Sequence, residues 1–161
     1  MECRESQHEQ IVKITFAVRM AIEACKPDEL PWRIFPKGAC GDTCLVLGQI
    51  LHEAGFKSAE YVCGSKYRDD RKPYSHAWLR YDGLIIDITA DQFPEVGSKV
   101  IVTCESEWHK GWEESRPESG VLQDYGVANV QHLWELYSVV KSQLDNPRTV
   151  APPARTTGSE R

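Results

Sequence analysis

The stretch Tyr74-Ser75-His76-Ala77-Trp78-Leu79-Arg80-Tyr81-Asp82-Gly83-Leu84-Ile85-Ile86-Asp87-Ile88-Thr89 decides the fold of this chain. Two runs of strand character, Tyr74 to Tyr81 and Leu84 to Thr89, flank Asp82-Gly83, and Asp-Gly between such runs is the strongest short-range hairpin signal. Two residues break the apolar character of the hairpin. His76 stands in the first run, where an alternating strand would hold its ring rigidly, and Asp87 stands in the otherwise apolar second run. A carboxylate there is costly unless it has a partner. Counting back from the turn pairs residue 87 with residue 78, so Asp87 faces the neighbourhood of His76.

Upstream of the hairpin, Cys44, Leu47, Ile50, Leu51 and Ala54 recur at helical spacing, and Gly55 suits the left-handed position just past a helix end. The segment from Cys40 to Phe56 therefore reads as a largely buried helix with Cys40 in its first turn. An earlier helix is expected over Glu5 to Cys25, ended by Lys26-Pro27. Between the two helices, Pro27, Pro31, Pro36 and Gly38 make an irregular lead-in. Further strands are expected at Ser58 to Gly64 and Lys99 to Cys104, and Lys66 to Pro73 reads as a solvated loop. Glu105 to Gln123 is polar and reads as a long loop holding Trp108 and Trp112, rings that could order it. Val127 to Leu144 reads as a closing helix with Val130, Leu133, Trp134, Tyr137 and Val140 on one face. From Asn146 the chain is rich in Pro, Thr, Gly and Ser and is expected to be a disordered tail over 146–161. The order of elements predicts one α+β domain over 1–145.

The whole chain has 161 residues, 41% of them apolar and 27% charged, which is globular composition. A net charge of −5 argues against a general electrostatic grip on nucleic acid or an anionic membrane. No apolar run approaches the ~20 residues of a spanning helix, and the first residues lack the basic-then-apolar order of an export signal. A cytoplasmic location is expected. The six cysteines, Cys3, Cys25, Cys40, Cys44, Cys63 and Cys104, then read as free thiols rather than a disulfide framework.

Cys40, His76 and Asp87 together carry chemistry. A thiol is a useful nucleophile only as thiolate, and a helix N-terminus favours that anion through free backbone N–H groups and the dipole. His76 supplies a base, and Asp87 supplies the acceptor that orients an imidazole and favours its cation. Each residue also has a plainer reading: buried helix cysteine, satisfied strand histidine, turn carboxylate. Trp78 and Trp32 read as core or cleft wall. A zinc site from Cys40, Cys44, Cys63 and His76 is the other alternative, although structural zinc sites usually show tighter spacings such as C-x₂-C. His52-Glu53 lacks the second histidine of a helical metalloprotease motif, Cys104 and His109 lie in polar loop, and His132 reads as surface or core edge.

Gly38-Ala39-Cys40, Ala54-Gly55-Phe56, His76-Ala77-Trp78-Leu79 and Asp87-Ile88-Thr89 resemble the transglutaminase-like superfamily of cysteine peptidases and acyltransferases. In that pattern a cysteine opens a helix that ends at a glycine 15 residues on, as Gly55 follows Cys40, a strand begins His-Ala-Trp, and an aspartate opens a short Asp-Pro-Thr-like sequence. The likeness spans roughly residues 32 to 92, with Ile88 where the family has proline; the same core is similar to the leader peptidases of lasso-peptide biosynthesis. It implies a papain-like fold and a Cys40-His76-Asp87 triad that cleaves or transfers an amide bond of a peptide or protein, with no metal or organic cofactor. Water, which needs no second binding site, is the expected acceptor; an amine would make the chain a transglutaminase. A catalytically silent binding module of the same fold is the competing expectation. Cys44 and Cys63 read as core.

Overall fold

The computed structural model describes residues 2–67 and 72–147, and the side chains from residue 5 onward within them. The tail expected from 146 lies almost wholly outside the described residues, as does the middle of the 66–73 loop.

Helix α1 runs Glu2–Ala24, and α2 runs Cys40–Glu53. Strands β1 (Glu60–Tyr67), β2 (Pro73–Tyr81), β3 (Leu84–Asp87) and β4 (Ile101–Thr103) follow, and helix α4, Gln131–Asp145, closes the chain. Between β4 and α4 come a four-residue helix α3 (Glu107–Lys110) and two short strands, β5 (Glu113–Glu114) and β6 (Glu118–Ser119). The sheet is antiparallel in the order β4-β3-β2-β1-β5, with β6 also on β1. This is the expected α+β class.

Local chemistry explains the hairpin and the helix end. Asp82 and Gly83 both take positive φ, 46° and 79°, as a two-residue turn with the right twist requires. Gly55 takes φ 100° just beyond α2, where its lack of a Cβ removes the steric penalty. The β2–β3 ladder pairs Leu79 with Ile86 and Tyr81 with Leu84, the register counted from the turn.

Four consecutive residues of β2, His76 to Leu79, are buried because the sheet is covered on both faces. Ala77 and Leu79 join Ile11, Val18 and Ile22 of α1, Val46, Leu47 and Leu51 of α2, and Val140 of α4 in the main core. Trp78 points the other way, into a second cluster with Val62, Phe93 and Trp112.

That second cluster corrects the reading of residues 105–123 as a long loop. The segment is built into the sheet: Glu113 and Glu114 pair with Ser65 and Gly64, and Glu118 and Ser119 pair with Tyr61 and Glu60. Its glutamates face solvent and mask the signal, while the buried Trp112 anchors it. Cys63 is also half-buried rather than core.

Gly48 sits in the middle of α2, where glycine is intrinsically poor. The reason is a close approach: a Cβ there would lie 1.9 Å from the carbonyl oxygen of Gly120. Because the obstacle is backbone, Gly48→Ala should destabilise the protein by about 3 kcal/mol, the upper end of overpacking costs. Urea denaturation measures it, and an unchanged midpoint would contradict the packing described.

Among the described residues no helix is long and apolar enough to cross a membrane.

Candidate active site

The structure brings Cys40, His76 and Asp87 together from α2, β2 and β3. Cys40 is the first residue of α2, with Ala39 at the cap position, so its sulfur lies beside backbone N–H groups that have no partner within the helix. The sulfur is half-buried and hydrogen-bonded to the His76 side chain, with the backbone N–H groups of Ala77 and Gly41 also directed at it. Tyr61 of β1 brings its hydroxyl over Gly41.

His76 is 0% exposed. Its Nε2 lies 2.6 Å from Asp87 Oδ2, which leaves Nδ1 for the Cys40 side; the amide nitrogen of Gln92 lies 3.3 Å from that Nδ1. Aromatic rings surround it, with Phe93, Trp108 and Trp112 centroids at 5.2, 5.5 and 5.7 Å. Such walls keep water from the imidazole and strengthen its polar contacts. Asp87 is 2% exposed and fully engaged: Oδ1 accepts from the Thr89 backbone N–H at 2.8 Å, and Oδ2 accepts from two imidazoles.

The second imidazole is His109, 3.0 Å from Asp87 Oδ2 and 1% exposed. The sequence around His109 reads as polar loop, but in the structure the ring is buried against Asp87. The available signal was slight: Ser106 three residues before it caps α3 by accepting from the His109 N–H. Gln92, 3.3 Å from His76 Nδ1, carries no signal in the sequence. Trp78 is core as expected, Trp32 is half-buried against the main core, and His132 is exposed.

The charges reinforce one another. Burial pushes the Asp87 carboxyl up, but the hydrogen bonds from His109 and His76, the charge of His76 and the Thr89 N–H outweigh it and hold Asp87 at about 2. Burial disfavours the His76 cation, yet Asp87 and Cys40 raise it to about 9. Burial likewise pushes the Cys40 thiol up, and the hydrogen bond and charge of His76 with the two backbone N–H groups bring it below its ordinary value. Cys44, one turn along α2, has no such partner: burial and the Asp87 charge push its thiol well up, and burial raises Cys63 too. Of these three thiols, Cys40 is shifted down while Cys44 and Cys63 are shifted up.

His76, Asp87 and His109 are also metal-ligating types, with ligand atoms within 4.8 Å of one another. Their closest separations, 2.6 and 3.0 Å, are hydrogen-bond lengths, shorter than the about 3.3 Å that tetrahedral bonds of ~2.0–2.1 Å put between ligands. Cys40, Cys44, Cys63 and His76 do not converge on a common point among the described residues, so the alternative zinc set is not assembled. Comparison of the chain with protein-family models, with curated proteins and with solved structures finds no match.

Proposed function

We propose that this chain is a thiol enzyme that cleaves an amide bond of a peptide or protein through Cys40, His76 and Asp87, on a transglutaminase-like, papain-like domain working in the cytoplasm. The observation that supports it is the placement of a buried imidazole between a helix-start thiol and a buried carboxylate, with one ring nitrogen committed to each. Among the described side chains the cysteines are free thiols, in keeping with a reducing compartment.

In this mechanism the Cys40 thiolate attacks the carbonyl carbon, and the C–S bond forms as the carbonyl electron pair moves to oxygen. The backbone N–H groups at the start of α2 meet that oxyanion. His76, holding the thiol's proton on Nδ1, passes it to the leaving amine as the C–N bond breaks. Water then releases the acyl group, with His76 accepting its proton; an amine in the same place would give transfer.

Alkylation tests the reading. With iodoacetamide or a vinyl sulfone, Cys40 should label ahead of Cys44 and Cys63, with sites located by mass spectrometry. The sign follows from the shifts: Cys40 is lowered and the other two are raised, so its lead is widest below the ordinary thiol range and narrows as pH climbs. Amide turnover should fall as pH rises through about 9, where His76 loses the proton it must donate. Labelling of Cys40 no faster than that of Cys63, and unchanged in His76→Ala, would sink the enzyme reading and leave a binding module.

A further inference from the structure

We infer that His109 is a positioning residue of this site: acting through Asp87, it holds His76 in the tautomer and orientation that serve Cys40, and Ser106 in turn holds His109. The inference rests on the triad reading above and adds to it two residues outside the triad.

The donors and acceptors around Asp87 support it. An ionised carboxylate can only accept, so both imidazoles that meet Asp87 Oδ2 must present a hydrogen at Nε2. In neutral His76 this leaves Nδ1 bare to take the Cys40 proton, and in the ion pair with the Cys40 thiolate Nδ1 carries that proton while Nε2 keeps its own. For His109 it leaves Nδ1 as an acceptor, and the Ser106 hydroxyl lies 2.7 Å away to donate to it. Ser106 Oγ accepts in turn from the His109 backbone N–H at 3.3 Å. Asp87 thus fixes the hydrogen on Nε2 of each imidazole, and moving either one to Nδ1 would set two acceptors face to face.

The setting argues against a histidine that merely fills space. His109 is boxed by Trp78 and Trp108, with ring centroids at 4.9 and 4.8 Å, on a helix of four residues. An apolar residue of that volume would fill the same place without the cost of burying an imidazole. It would also leave Oδ2 with one donor and room for the carboxylate to turn away from His76. The groups facing His76 are Cys40 from α2, Asp87 from β3, His109 from α3 and the Gln92 amide, and Lys66 of β1 reaches over the Trp108 and Trp112 rings at 5.2 and 4.5 Å.

The test compares His109→Ala with His109→Gln, whose amide N–H ends near the position of Nε2. Two quantities are read: the His76 titration by NMR, and the rate of Cys40 alkylation at neutral pH. In His109→Ala the His76 titration should fall from about 9 toward its ordinary value. Alkylation should slow roughly tenfold, the scale of one lost hydrogen bond to a charged group. His109→Gln should restore both. Should His109→Ala not fold, His109→Asn, whose amide stops short of Asp87, takes its place in the same comparison. Either quantity staying at the wild-type value without a donor to Asp87, or failing to recover in His109→Gln, overturns the inference. Slow Cys40 labelling in the wild-type protein would instead fail the triad reading, while the NMR titration, which needs no turnover, still decides what His109 does to His76.

Discussion

Asp87→Asn should cut amide turnover about 10⁴-fold, the scale expected when a triad imidazole is left in the wrong tautomer, and should do so in a folded protein. In wild type, Oδ1 accepts from the Thr89 N–H and Oδ2 accepts from His76 and His109. Asparagine has one acceptor oxygen and one NH₂ group. With the oxygen toward Thr89, the NH₂ meets both Nε2 atoms, which must then give up their hydrogens. His76 would carry its hydrogen on Nδ1 and could not receive the proton of Cys40. With the amide reversed, the NH₂ opposes the Thr89 N–H, a donor against a donor in a buried place, which costs about 1–3 kcal/mol. The imidazolium also loses the negative charge that supports it. Release of p-nitrophenolate from p-nitrophenyl acetate reports thiolate attack without the need to protonate a leaving group, so it should slow by a smaller factor than amide cleavage. Near-UV circular dichroism checks the fold. Equal rates in Asp87→Asn and wild type would mean that Asp87 is a structural carboxylate only.

The residues of this site differ in how far the sequence announces them. His76 and Asp87 are legible because each is a polar residue interrupting an apolar strand, and because a two-residue turn fixes the register between them. Cys40 is legible because a glycine and proline-rich lead-in stops where the helical spacing starts. His109 is not, since it belongs to a segment whose surface is glutamate and serine and whose attachment is two tryptophans; local polarity reads as loop, and only the tertiary fold shows that this segment edges the sheet. Gln92 fails for a related reason: its approach to His76 depends on a 3-10 turn over Ala90–Gln92 that carries no periodic signal. Local pattern thus reaches residues that sit on regular elements, and misses those delivered by irregular backbone.

A different limit hides Arg19, which sits on a regular helix but meets partners far along the chain, and whose removal should have the largest effect on stability. Although charged, Arg19 is only 3% exposed on α1. Its guanidinium grips Asp91 with both ends at 2.7 Å, donates to the carbonyls of Ile88 and Lys99 at 2.5 and 3.2 Å, and bonds Glu23 at 2.9 Å through Nε. It also lies 4.7 Å from the Phe35 ring centroid. One side chain therefore ties α1 to the backbone directly after Asp87, to the approach to β4, and to the loop that leads into Cys40. Arg19→Met leaves the Asp91 carboxylate and two carbonyls without these donors, and should cost about 3–5 kcal/mol, as breaking a buried ion pair from one side does. That is a large part of the 5–15 kcal/mol typical of a domain, so the melting temperature should fall steeply. Adding Asp91→Leu should return part of the loss, because removing both partners avoids an uncompensated buried charge. Arg19→Lys should recover little, since an ammonium cannot reproduce the bidentate fork. A loss in Arg19→Met below about 1 kcal/mol would class the pair with exposed salt bridges. Because Ile88 follows Asp87 directly, conditions that loosen this anchor without unfolding the domain should slow Cys40 alkylation first, and alkylation followed through a urea titration distinguishes that order from a single concerted loss.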